Sequence, residues 1–366
     1  HQPLLAFNRI YFGVELSFFH TALIILASLL LSIISWKFIE RPFRNKKIIS
    51  DKKAIISIVV SSIIILFLSV LIYSSKIESA QKKLPIEIIN SFNSVDKTNC
   101  LDLDYAHLDG KDWYCELGDK SKKIYFAVVG DSHALALKPV FDSVAKNLGK
   151  KGLLTGFSGC PGLIGINSVR PDHNIKNCKS LNDKLYRFVE ETKIKKVFLV
   201  SRWTYYTVGN LGRSNFSLIS TGDKLFSNRD VSKTSMIYGI RNTAQKYKNL
   251  DVELFFVHQI PEQVYSPKFS YQKSFNFKEN TTDLKKLMSF GVDYNDYLKH
   301  QKFIFDNINL IKKDFLNLKE IDLSKNFCDK SKCYHGSKNR SYYADKHHLS
   351  TFGSSKIEKK IKDLLK

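Results

Sequence analysis

The sequence predicts an α/β domain, a parallel sheet with helices on both faces, preceded by two transmembrane helices. Three observations carry this reading. Two long, almost uncharged apolar runs lie near the start of the chain, at 16–34 and 54–73. From Lys123 onward, apolar runs of strand length alternate with longer stretches of helical spacing. Strands separated by helices pair in parallel, and a parallel sheet needs cover on both faces.

The chain begins at His1, with no charged-then-apolar signal peptide, and reads as the carboxyl-terminal portion of something longer. The first apolar run, inside a helix expected at about 14–36, is broken by His20 and small polar residues, and comes close to bilayer-spanning length. His20 reads either as a packing residue between helices or as part of a proton or substrate path. The second run carries no charge and is the clearest spanning helix in the sequence. Between them lie Lys37, Arg41, Arg44, Lys46, Lys47, Lys52 and Lys53, against Glu40 and Asp51. That excess places the loop in the cytoplasm, so the long carboxyl-terminal part emerges on the opposite side.

Cysteine usage agrees with this topology, because disulfides form in the oxidising compartment. The cysteines fall into local couples, Cys100 with Cys115, Cys160 with Cys178, and Cys328 with Cys333. Six cysteines allow about fifteen connectivities, and nearest-neighbour closure is the simplest. No CxxC occurs and no His sits at zinc-ligand spacing from a Cys, so no metal site is expected. The net charge of +22 and pI near 9.5 point to an anionic partner or surface. The lysines form no basic stripe interleaved with aromatics, so nucleic acid is not the expected partner.

Residues 1–50 are read as one membrane segment, 51–75 as an additional spanning helix, 76–122 as a linker or extension, and 123–366 as the α/β domain. In the extension Asp102, Asp104 and Asp109 lack the residue order of an EF-hand loop, so a disulfide-pinned extension is expected rather than a calcium site. Strands are predicted over 124–129, 152–157, 196–200, 252–257 and 321–323. Helices are predicted over 134–147, 181–192, 235–247, 294–315 and 351–365.

Ligands of such sheets sit at the carboxyl ends of the strands, and the first predicted strand ends in Gly130-Asp131-Ser132-His133. Near the other end of the chain stands Asp345-Lys346-His347-His348. A serine at a strand-to-helix turn, with an Asp and a His three apart, supplies a nucleophile, an orienting carboxylate and a base for acyl transfer. The following helix aims its positive end at the serine. Asp131 reads as a turn and capping residue.

Two resemblances make this specific. Trp36-Lys37-Phe38-Ile39-Glu40-Arg41-Pro42-Phe43-Arg44 resembles the closing segment of the membrane acyltransferase-3 family. That resemblance implies a membrane domain in cis that passes an acetyl group from cytoplasmic acetyl-CoA to extracytoplasmic carbohydrate. The helices bearing that family's catalytic His and Arg residues are not in this sequence, so acetyl-CoA belongs to the missing amino-terminal part. The Gly-Asp-Ser and Asp-x-x-His motifs, in that order around an alternating α/β pattern, resemble the SGNH (GDSL-like) superfamily, which implies a flavodoxin-like parallel sheet.

Carried over, the resemblance makes Ser132 the nucleophile, His348 the base and Asp345 its orienting partner, with His347 the competing base. It implies an oxyanion hole of the Ser132 amide and Gly159, with no cofactor at the serine. The segment Ser201-Arg202-Trp203 departs from the family's Asn-bearing third block but is similar to the branch fused to acyltransferase-3 domains, so Arg202 or Trp203 is expected at the pocket. The Cys328 and Cys333 couple also resembles that branch, and a local disulfide there would hold the loop carrying Asp345 and His348. Tyr342 and Tyr343 read as packing residues, with stacking on a sugar as the alternative.

The function these readings imply is a bacterial inner-membrane, multi-pass O-acetyltransferase with a periplasmic SGNH domain. Its acceptor is a hydroxyl of lipopolysaccharide O-antigen or another envelope polysaccharide. The alternatives are a periplasmic carbohydrate acetylesterase and a catalytically silent glycan-binding module.

Overall fold

The computed structural model describes all residues except 1–3, 7, 9–10, 12–17, 45–48, 81–82, 97, 104–112, 170–174, 213–215 and 222–226. The start of the first expected span at 14–17, Lys46 and Lys47 of the basic loop, and Asp104 and Asp109 of the acidic cluster therefore lie outside the described residues. The chain forms two compact units, His1–Pro85 and Ile86–Lys366.

In the first unit, helix α1 (Phe18–Ser35) runs on through a π-helical turn, Trp36–Glu40, into a short helix, Arg41–Arg44. Helix α2 spans Asp51–Ala80. The segments Phe18–Arg44 and Asp51–Ser74 are each long and apolar enough to cross a membrane, and neither is buried within the protein. Apolar side chains facing outward all round, with the backbone hydrogen bonds made inside the helix, are what a lipid environment selects.

The second unit opens with helix α3 (Ile86–Asn93) and is built on a six-stranded sheet. Its strands are β1 (Cys115–Gly118), β2 (Ile124–Gly130), β3 (Lys151–Gly156), β4 (Lys196–Val200), β5 (Glu253–Val257) and β6 (Leu318–Ile321). The spatial order is β1-β3-β2-β4-β5-β6. Every pair is parallel except β1 with β3. Without the β1 edge this is the flavodoxin-like order 2-1-3-4-5.

Successive side chains of a strand point to opposite faces, and the core divides accordingly. Phe126 and Val128 pack with Phe198, Phe255 and helices α4 (Ser132–Asn147) and α8 (Glu358–Leu365). Ala127 and Val129 pack with Leu199, Phe256 and helices α5 (Ile175–Thr192), α6 (Arg229–Lys248) and α7 (Tyr294–Asp314). All three local disulfides form, Cys100 to Cys115, Cys160 to Cys178 and Cys328 to Cys333.

Several elements differ from the expectation. Residues 76–122 are not a separate extension beyond Ile86. Ile88, Cys100, Leu101 and Leu117 are buried, β1 pairs with β3, and Ser91 Oγ accepts the Ser341 amide at 2.8 Å. Helix α6 starts six residues before the expected 235, because Asn228 caps it, accepting the amides of Asp230 and Val231. The last strand lies three residues before the predicted 321, with Lys319 and Glu320 exposed between buried Leu318 and Ile321. The terminal helix is broken into Thr351–Ser355 and Glu358–Leu365.

The sheet is tightest where β2 ends. Gly130 lies between Gly156 of β3 and Val200 of β4. A Cβ on Gly130 would come within 1.7 Å of the Val200 carbonyl oxygen, and one on Gly156 within 1.9 Å of the Gly130 oxygen. Both obstacles are backbone of the central sheet and cannot step aside. Gly156→Ala is expected to cost about 2–4 kcal/mol. Urea unfolding followed through buried Trp113 and Trp203 measures it.

Candidate active site

Ser132 is the first residue of α4, directly after the Gly130 crossing. The turn is held by Asp131, whose side chain caps the helix by accepting the His133 amide at 2.9 Å. Its other oxygen accepts the Arg202 amide at 2.9 Å and the Tyr206 hydroxyl at 2.7 Å. Asp131 thus ties the turn after β2 to the turn after β4. Burial pushes its carboxyl above the usual range, and those three hydrogen bonds pull it part of the way back.

The second half of the site arrives on the loop before the terminal helices. Asp345 Oδ1 accepts the amides of His347 and His348, both at 2.8 Å, which closes the loop on itself. Asp345 Oδ2 lies 2.7 Å from His348 Nδ1, and His348 Nε2 lies 2.7 Å from Ser132 Oγ. Ser132 and His348 are 216 residues apart in sequence. Burial alone would raise the Asp345 carboxyl. The hydrogen bond and charge of His348 overcome it and hold Asp345 ionised well below the usual carboxylate range. An imidazole fixed by a carboxylate on one nitrogen presents the other, unprotonated, to the serine hydroxyl.

His347 is turned away from Ser132. Its Nδ1 lies 3.3 Å from His133 Nε2, and the two rings stack at 5.5 Å between centroids. Burial, then the neighbouring His348, push the His347 ring down to about 3. Burial likewise carries His133 well below its ordinary value. His133 carries no motif of its own; only its adjacency to Ser132 in the sequence marks it.

Ser132 and His348 line an open cleft of about 190 Å³ with Val95, Leu135, Ala136 and Ala344. Pockets for drug-sized ligands run to about 300–1,000 Å³, so this space suits a smaller group. The Gly159 turn is brought to the same sheet edge, since the Phe157 amide donates to the Gly130 carbonyl at 3.1 Å. Gly159 has φ of 72° and fits a turn that disfavours other residues. Among the described residues no hydrogen-bond acceptor is found for the amides of Ser132 and Gly159.

Trp203 is corrected by the structure: it does not line the pocket. It is fully buried, stacks on Phe256 at 4.3 Å and donates its indole N–H to the Val257 carbonyl at 2.8 Å. A ring of that size on the Ala127 face belongs to the core. Arg202 is buried beside the turn that Asp131 holds, its Nε 2.8 Å from Glu262 Oε1 and its guanidinium 4.9 Å from the Tyr205 ring centroid, and it is not among the residues lining the Ser132 cleft. Tyr343 is buried, and Tyr342 packs between Phe352 and Lys356, so both are packing residues. The Cys328 to Cys333 disulfide reaches the loop through Gln263, which donates its side-chain amide to the Cys333 carbonyl and its backbone amide to the Lys346 carbonyl.

Fold and site together are those of SGNH-type acyl-handling enzymes. The chain belongs to the family described as SGNH domain (fused to AT3 domains), which matches residues 99–363. Among solved structures, it is similar to the periplasmic domain of a lipopolysaccharide acetyltransferase from Salmonella ser. Paratyphi A. The identity is 17%, covering 73% of this chain and 90% of that one, at a TM-score of 0.50. Weaker similarity joins it to a GDSL-like lipase from Bacteroides thetaiotaomicron, at 10% identity over 67% of this chain and 90% of that one, TM-score 0.33. A family two carbohydrate esterase from Clostridium thermocellum shows 9% identity over 66% of this chain and 63% of that one, TM-score 0.35. No curated protein matches the sequence.

Glu262 is almost fully buried, and its second oxygen accepts the Leu211 amide at 3.0 Å. Burial opposes its charge, but the Arg202 hydrogen bond and charge prevail and hold its carboxyl below the usual range. A depressed folded-state value stabilises the fold above the unfolded-state value of about 4.3 and is lost as pH falls below it. Glu262→Gln leaves Arg202 without its counter-charge and is expected to cost about 3 kcal/mol at pH 7. Denaturant unfolding from pH 7 to pH 3 should show the gap between variant and wild type closing towards acid.

Proposed function

We propose that the protein is an O-acetyltransferase that passes an acetyl group through an acyl-serine at Ser132 to a hydroxyl of lipopolysaccharide O-antigen or another envelope polysaccharide. The observation that carries the reading is the continuous chain from Asp345 through His348 to Ser132, with both links at 2.7 Å, opening on a small cleft. Membership of a family fused to acyltransferase-3 domains, and likeness to a domain whose name is lipopolysaccharide acetyltransferase, support transfer over simple hydrolysis.

In the first half-reaction Ser132 Oγ attacks the acyl carbonyl carbon while its proton passes to His348 Nε2. The oxyanion is met by the amides of Ser132 and Gly159, with the start of α4 behind them. The proton then leaves with the donor group and acetyl-Ser132 remains. In the second half-reaction a sugar hydroxyl gives its proton to His348 and attacks the ester. The proton returns to Ser132 Oγ as the bond breaks. Asp345 stays ionised throughout and stabilises the imidazolium.

The rest of the arrangement follows the chain. The acyltransferase-3 portion, in the bacterial inner membrane and multi-pass, takes acetyl from cytoplasmic acetyl-CoA and hands it outward. The SGNH domain works in the periplasm without a cofactor at the serine, and its positive charge suits an anionic glycan.

Ser132→Ala is expected to abolish acetylation of an envelope oligosaccharide, and Asp345→Asn to lower it about 10⁴-fold. His347→Ala should stay at least about a hundredfold more active than His348→Ala, since His347 does not face the serine. Product analysis with a labelled acetyl donor reads all four variants. Release of acetate alone, with acceptor present and never acetylated, would turn the reading to an acetylesterase. Unchanged acetylation by Ser132→Ala would turn it to a glycan-binding module.

A further inference from the structure

We infer that His133, His347 and His348 form a site for a borderline transition-metal ion such as Zn²⁺, and that occupying it switches the serine off. One ring nitrogen from each of the three lies within 4.8 Å of the others. The pair His133 Nε2 and His347 Nδ1 is already 3.3 Å apart. Two imidazole nitrogens at about 2.0–2.1 Å from a tetrahedral zinc stand about 3.3–3.4 Å from each other, so this pair needs almost no rearrangement. The third ligand is His348 Nε2, whose lone pair otherwise receives the Ser132 proton.

The ligands come from the first turn of α4 and from the Asp345 loop, segments already brought together by the catalytic set. The side chains of His347 and His348 are 24% and 25% exposed, which leaves an approach from solvent while His133 closes the floor. Three imidazoles and no oxygen-rich cage select zinc, cobalt, nickel or copper over calcium and magnesium. Asp345 bound to His348 Nδ1 is the carboxylate–histidine arrangement that orients a metal-ligating imidazole. The fourth position is left to water.

The balance is simple. His348 Nε2 offers the metal its lone pair without losing a proton, and Ser132 Oγ keeps its own hydrogen. The one proton between His133 and His347 moves to the far nitrogen of its own ring, so that both rings stay neutral and both lone pairs are freed. With His348 coordinated, nothing remains to deprotonate Ser132, so turnover stops until the ion leaves. The binding stands on the geometry alone; the inhibition rests on the proposed role of Ser132.

Co²⁺ titration of the metal-free full chain in detergent, read by the visible absorption of tetrahedral cobalt, tests the site. One ion per chain is expected, competed by Zn²⁺ and not by Mg²⁺ or Ca²⁺. Affinity should fall about tenfold or more in His347→Gln, chosen because that ring is partly exposed, and in His133→Asn, while Ser132→Ala binds as wild type. In parallel, Zn²⁺ should lower hydrolysis of a small acetyl ester and a chelator should restore it. Absence of stoichiometric cobalt, binding unchanged by His347→Gln, or full ester turnover by the metal-saturated protein would overturn the inference. Cobalt bound as expected by a protein whose metal-free form neither cleaves the ester nor transfers its acetyl group to Ser132 or to an oligosaccharide acceptor would instead refute the role of Ser132 and leave the site standing.

Discussion

Asp131 accepts three hydrogen bonds at once, from the His133 amide, the Arg202 amide and the Tyr206 hydroxyl, and it is buried while doing so. An unpaired carboxylate at that depth would be expensive, so the three donors and their positions are constrained together. The consequence reaches beyond its own turn. It sets the first turn of α4, and with it Ser132, and it fixes the segment after β4 from which Arg202 reaches Glu262. The glycines at the strand ends let the central strands close tightly, and the one carboxylate bridges the turns that follow β2 and β4.

The other half of the site is organised by the same logic at smaller scale. Asp345 spends one oxygen on two amides of its own loop and the other on the ring of His348. That division gives the imidazole a fixed position relative to the backbone before any ligand arrives. Gln263 then links the loop to the disulfide at Cys333, and Ser350 starts the next helix by accepting the Gly353 amide. An imidazole held this way meets the serine hydroxyl at hydrogen-bond distance without a closing motion.

Much of this was legible in the sequence because the signals are local. The strand ending at Gly130 is a plain apolar run, and the two tetrapeptides around Ser132 and His348 carry their own spacing. Cysteine neighbours along the chain proved to be neighbours in space. What stayed hidden depends on contacts between distant segments. β1 is a short strand, Cys-Glu-Leu-Gly, with only Leu117 fully buried, and nothing local distinguishes it from a turn. Arg202 and Trp203 are adjacent and looked equivalent, yet one pairs with Glu262 and the other fills the core, a choice made by the 3-10 turn at Trp203–Tyr206 and the carbonyl of Val257. His133 stands next to Ser132 in the sequence, but its pairing with His347, 214 residues away, shows only in the fold.

Acyl transfer through Ser132 requires a covalent bond that exists for a moment at one oxygen. Mass spectrometry of peptides from the protein mixed with an acetyl donor, acceptor withheld and the reaction quenched in acid, looks for it directly. The predicted result is a single acetyl group on Ser132 that disappears when acceptor is added before quenching. Acetyl found on another residue, or none on Ser132 while the protein goes on turning over donor, would contradict it.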